Sequence, residues 1–199
     1  MGILAEILLF RQEHSTCDAL LQESYDLSIR LGNPVAAAAA QGARGRVALD
    51  RNDLPTAQHL FTDSIQGLIN WPIAANINRI YLAMTHLQQE DTATAEALLT
   101  TSLHTLTADT YPKGRIHALY TQAITQHRRD NTDIASTLLH EAWALAPQTA
   151  PTAQAMAHLC AQLIDTHIPQ LKSCTNDELQ ELAQQSIELR YFIRLHAQR

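Results

Sequence analysis

Ten histidines and three cysteines among 199 residues make metal coordination the first chemistry to weigh. A helix offers two ligands to one ion at positions i and i+4, yet no two histidines stand four apart and no His-Glu-x-x-His occurs. The densest grouping is His158, Cys160, Asp165 and His167. On a helix, 158 and 165 share one face while 160 and 167 share another, so the four do not converge by themselves. Nucleophilic chemistry is no better placed, since neither a Gly-x-Ser-x-Gly elbow nor a Cys-x-x-Cys pair is present. The adjacent carboxylates Asp177 and Glu178 follow Thr175 at capping-box spacing, which gives them a structural task. The expectation is a protein with no catalytic residue, no metal and no cofactor. An α-helical hydrolase or metalloenzyme is the distant alternative and requires a polar site assembled from separated segments.

Charge narrows the partners. The formal net charge is −6 and the sequence pI about 5.9, with no dense run of Lys and Arg. Phosphate neutralisation by a basic face is therefore lacking, and direct nucleic-acid binding is not expected. Arg44 with Arg46, and Arg128 with Arg129, read as solvated helix positions. The chain contains no Gly-x-x-x-x-Gly-Lys-Ser/Thr loop, so no nucleotide site of that type is written in it. The apolar run from Ile3 to Phe10 carries Glu6, follows no basic region and is too short to span a bilayer. Three cysteines without framework spacing read as reduced thiols, which suits a cytoplasmic protein without membrane contact.

The elements that must position any site are announced by a repeat. Cys17, Ala57, Ala95 and Ala135 each open a segment in which a large apolar residue follows four places later and a small one seven places later. The steps between them are 40, 38 and 40 residues. A period of this length marks stacked helix pairs, and the aromatic share of 5% fits a core of Ala and Leu at close helix contacts. The fold class is all-α, in units of about 2–33, 35–70, 73–109 and 112–147, followed by capping helices over 148–199. Ser15 is expected to cap the second helix, and Asp53, Asp91 and Asn131 the second helix of their units. Gly32-Asn33-Pro34 ends the first unit. Beyond Pro147 and Pro151 the spacing predicts a helix over 152–165, a link through Pro169, and a last helix over 176–197 whose Gln, Glu and Arg content suits a polar end cap.

The stretch from Gly45 to Ala57 resembles the core of a tetratricopeptide repeat. Gly45, Ala83 and Ala123 match that family's small position in the first helix of a unit, and Ala57, Ala95 and Ala135 the small position in the second. Phe61, Leu99 and Leu139 match its large apolar position, Ser64, Ser102 and Ala142 its closing small one, and Pro147 its terminal proline. The period exceeds the family's usual length of about 34 residues. It is similar to the longer repeats of large bacterial signal-transduction ATPases, among them transcription activators related to the maltose regulator. Gln41 and Arg44 depart from the pattern, standing where larger apolar residues are usual.

The resemblance implies a right-handed superhelical solenoid whose concave face, built by the first helix of each unit, binds a protein, a peptide or a small effector. It also implies a sensor or scaffold segment within a larger bacterial regulator; the alternative is a free-standing adaptor that self-associates, as a homodimer, through its apolar first unit. The family's groove positions fall on Arg46 and Asp50, then Ile80, Met84 and Gln88, then His117, Tyr120, Ile124, His127 and Arg128. Apolar anchors mixed with Arg and His suit an extended peptide.

Overall fold

The computed structural model describes residues 2–147, 150–168, 171–184 and 186–197. Among them the chain forms eleven helices and no strand. Four pairs come first: α1 (Gly2–Phe10) with α2 (His14–Arg30), α3 (Pro34–Asp50) with α4 (Leu54–Gly67), α5 (Pro72–Gln88) with α6 (Thr92–Thr105), and α7 (Pro112–His127) with α8 (Thr132–Leu145). Then follow α9 (Pro151–Leu163), α10 (Asn176–Ala183) and α11 (Ile187–Ala197). Consecutive helices through α9 pack on one another, and α3, α5, α7 and α9 also stack in series. This is a helical-repeat architecture, stabilised between neighbours along the chain.

Local chemistry repeats with the helices. Pro34, Pro72, Pro112 and Pro151 each sit in the first turn of an odd-numbered helix, where a missing N–H has no partner to lose. Each odd-numbered helix from α1 to α9 closes on a residue with positive φ: Gln12, Asn52, Glu90, Asp130 and Asp165. The next amide then reaches back to a carbonyl of the last turn, as in Asp53 to Ala48 at 2.9 Å and Asp91 to His86 at 3.0 Å. Asp53 and Asp91 cap the following helices by accepting from the amides of Thr56 and Thr94. Asn131 does not cap α8; its side-chain amide donates to Gln126 instead. Ser15 is not a cap either: α2 starts at His14 and no side chain caps it, because the reversal after α1 hands the chain directly into α2.

One of these left-handed positions yields a simple test. Glu90 is exposed and holds φ 65°, a conformation that disfavours any residue with a Cβ. Glu90→Gly should therefore stabilise the fold by about 0.5–1 kcal/mol, after the greater freedom of glycine in the unfolded chain is subtracted. Urea unfolding measures this as a raised midpoint at unchanged slope. A lowered midpoint would mean that the Glu90 side chain makes a favourable contact that outweighs its backbone strain.

The repeat positions are core positions. Cys17, Ala57, Ala95 and Ala135 are all fully buried, as are Phe61, Leu99 and Leu139. Gly45 shows why small residues are needed here: a Cβ on it would lie 2.7 Å from the Phe61 ring. The missing side chain lets α3 and α4 close on each other, and Phe61 goes on to stack on Tyr81 of the next unit, centroids 5.7 Å apart. The buried Ser64 hydroxyl donates to the Ala38 carbonyl at 2.7 Å and accepts from Asn78 at 3.0 Å, joining three helices through one polar contact.

The C-terminal segment departs from expectation. The helix expected over 152–165 is α9, but the one expected over 176–197 is two helices, α10 and α11. Thr175 and Glu178 do form the capping box at the start of α10. Leu189, Tyr191, Phe192 and Leu195 of α11 are fully buried, while Asp177, Glu178, Gln180 and Glu181 of α10 are exposed. The apolar stripe of α11 lies at helical spacing among its Arg and Glu residues. Pro169, expected to form the link, lies outside the described residues. Among the described residues, no helix is long and apolar enough to cross a membrane.

Candidate functional site

Of the residues assigned to a groove by sequence, Asp50, Met84 and Tyr120 already meet side chains of α11. Asp50, at the end of α3, has a side chain 1% exposed and accepts from Arg190 through both oxygens, at 2.8 and 2.9 Å. His14 adds a contact at 2.9 Å and Arg194 an ion pair at 3.5 Å. Burial would raise the Asp50 pKa, yet hydrogen bonds from Arg190 and His14, with the charges of Arg190 and Arg194, hold it below the ordinary value. Arg190 also donates to the carbonyls of Ala183 and Leu9, and Arg194 to those of Leu49 and Asp50. The two arginines therefore add a second donor to the carbonyls of Leu9, Leu49 and Ala183 and supply the donor for that of Asp50, tying α11 to these helix ends.

Farther along the same face, Met84 is buried and its carbonyl accepts from the Tyr191 hydroxyl at 2.8 Å. Tyr120 is fully buried with its ring edge-on to Phe192, centroids 6.5 Å apart. Gln88 is buried and donates to Asn52, while its own carbonyl oxygen finds no partner among the described residues. Ile80 and Ile124 belong to the core. Arg128 is half-buried and donates to the Leu87 carbonyl at 2.8 Å, and His127 is half-buried beside it in sequence. The expectation of an open groove along Asp50, Met84, Gln88 and Tyr120 is thus corrected. The face has the anticipated mix of apolar and polar groups, and the chain's own last helix covers it at Asp50, Met84 and Tyr120.

Arg46 and His117 have a different setting, the wall of a cavity of about 420 Å³ left beside the start of α11. Glu188, from the first turn of α11, projects among residues from α1, α3, α5 and α7. Its carboxylate accepts from the Tyr81 hydroxyl at 2.7 Å and the Ser186 hydroxyl at 3.0 Å, with His117 Nδ1 at 3.8 Å. Burial would raise the Glu188 pKa, but the His117 charge, the Tyr81 hydrogen bond and the Lys113 charge lower it to about 2. Burial drives the His117 pKa down against the attraction of Glu188. At neutral pH the carboxylate is therefore ionised and the imidazole neutral, and they become an ion pair only in acid.

Across the cavity, Arg46 pairs with Glu6 at 2.6 Å and lies 5.9 Å from the centroid of the Tyr81 ring. Burial works against the Arg46 charge, but Tyr81, Glu6 and Glu188 raise its pKa above the ordinary value. Lys113, exposed at the start of α7, lines the cavity and has no hydrogen bond or ion pair among the described residues. Lys113, His117, Thr152 and Met156 also line a second, mainly apolar cavity of about 460 Å³. Ile116, Leu145, Ala153 and Tyr120 form more of its wall. The Tyr120 hydroxyl itself is buried, without a partner among the described residues.

Glu6, Tyr81, Lys113 and Glu188 were not legible as site residues. Tyr81 and Glu188 stand 107 positions apart, and the available signal was the Ile187, Tyr191, Leu195 stripe that turns α11 inward. The His158 grouping is divided by the fold. His158, Asp165 and His167 line a shallow cleft, whereas Cys160 is fully buried and burial pushes its thiol pKa up. Burial and the nearby His196 charge lower the His158 pKa. Among the described residues, no three His, Cys, Asp or Glu side chains are arranged to hold an ion.

Compared with models of protein families, with curated proteins and with solved structures, the chain matches none.

Proposed function

We propose that this chain is a non-catalytic helical-repeat binding domain whose ligand is a small effector held in the cavity beside α11. The tetratricopeptide-like repeat supports a right-handed solenoid and, through the regulators it resembles, the sensor segment of a cytoplasmic bacterial signalling protein. The observation that carries the choice of ligand is the position of α11. By filling the face on which an extended peptide would lie, it leaves the paired cavities as the recessed space next to Arg46, His117 and Tyr120. Their volumes fall in the range of small-molecule pockets, about 300–1,000 Å³. Apolar walls with a few converging charges are the usual recipe for orienting such a ligand.

The test is a thermal-shift screen with small metabolites, run in parallel on the native protein and on Thr152→Trp. Thr152 sits in the first turn of α9 and lines both cavities, so an indole there fills them with little disturbance of the core. The expected result is a set of compounds that raise Tm of the native protein and leave the variant unmoved. Such binding follows mass action, with a stabilisation of about 2.7 kcal/mol at a ligand concentration one hundred times Kd. Equal shifts in both proteins, or no shift with any compound, would overturn the effector reading.

A further inference from the structure

Resting on the effector reading, we infer that the two adjoining cavities together bind a zwitterionic amino acid with a large, mainly apolar side chain. The charges decide the head group. Glu188 is an ionised carboxylate whose close partners are two neutral hydroxyls and a neutral imidazole. Lys113 is an ammonium with no hydrogen bond or ion pair among the described residues, near enough to Glu188 and His117 for its charge to act on both. A simple anion attracted by Lys113 and Arg46 would meet Glu188 and Glu6. A simple cation attracted by Glu188 would meet Lys113 and Arg46. A ligand with both charges on one carbon places its ammonium toward Glu188 and its carboxylate toward Lys113.

The body of the ligand is decided by the second cavity, which adjoins the first at Lys113 and His117 and is walled by Ile116, Leu145 and Met156. A mainly apolar space of about 460 Å³ calls for a large apolar side chain. Among the common amino acids tryptophan carries the largest.

The experiment is calorimetric titration of the full chain with L-tryptophan, with tryptamine, which lacks the carboxylate, and with 3-indolepropionate, which lacks the amine. The expected result is saturable binding of L-tryptophan, with each single-charge analogue weaker by roughly tenfold or more. Lys113→Ala should weaken L-tryptophan by a similar factor; this residue is exposed, so the variant folds whether or not Glu188→Gln does. An analogue that binds as well as L-tryptophan, or indifference to Lys113→Ala, overturns the zwitterion assignment. Failure of L-tryptophan while other compounds stabilise the native protein but not Thr152→Trp overturns the assignment and leaves the effector reading standing. No cavity-dependent ligand at all overturns both.

Discussion

Replacing Asp50 by alanine should lower the unfolding free energy by about 3–5 kcal/mol, the range for removing one partner of a buried ion pair. The size follows from what remains. Arg190, with a side chain only 10% exposed, would keep its charge and lose the carboxylate that accepts two of its hydrogen bonds. The loss also propagates, because the same carboxylate holds His14 at the start of α2 and Arg194 of α11. Urea unfolding of the two proteins measures the difference. A loss below about 1 kcal/mol would show that both arginines recover their solvation, as exposed pairs do.

The same group sets a dependence on pH. Its folded pKa is depressed, so its contribution is fully present above the unfolded value of about 3.9. The contribution is lost as pH falls through the folded value. The stability gap between the native protein and Asp50→Asn should therefore be widest near neutrality and close in acid, where both side chains are neutral. A gap that stayed constant from neutrality into acid would contradict the ionised clamp.

Phe192→Ala should cost about 3–5 kcal/mol, the range for deleting a fully buried aromatic ring. Phe192 is enclosed between Tyr120 and Tyr191, with centroids 6.5 and 5.4 Å away and both contacts edge-on. Because α11 is held to the repeat by this ring together with the Asp50 clamp, the damage should be concentrated in that helix. Hydrogen exchange on the variant should show loss of protection over 187–197 before loss over α4 and α6, whose own contacts are unchanged. Uniform loss through the chain would instead mean that α11 is part of a single cooperative unit with the four helix pairs.

The first 147 residues were largely legible because their stabilising contacts are local and repeated. Phe61 against Gly45, with the buried Ala57 at its fixed offset, expresses a packing rule within a helix pair, and the small position is then copied at Ala95 and Ala135. Asp53 and Asp91 are likewise read correctly as caps, since a cap and the amide it accepts from lie three residues apart. The predicted groove positions share a face for the same reason: the spacing of residues along α5 and α7 places them on it. What occupies that face was decided by tertiary structure alone. Arg190 and Asp50 are 140 positions apart, and Glu188 and Tyr81 107 apart; no period or motif links them. In the sequence, an arginine bound for a buried carboxylate and one bound for water are the same residue. The difference between them is a desolvation energy, and it exists only once α11 has folded back over the chain.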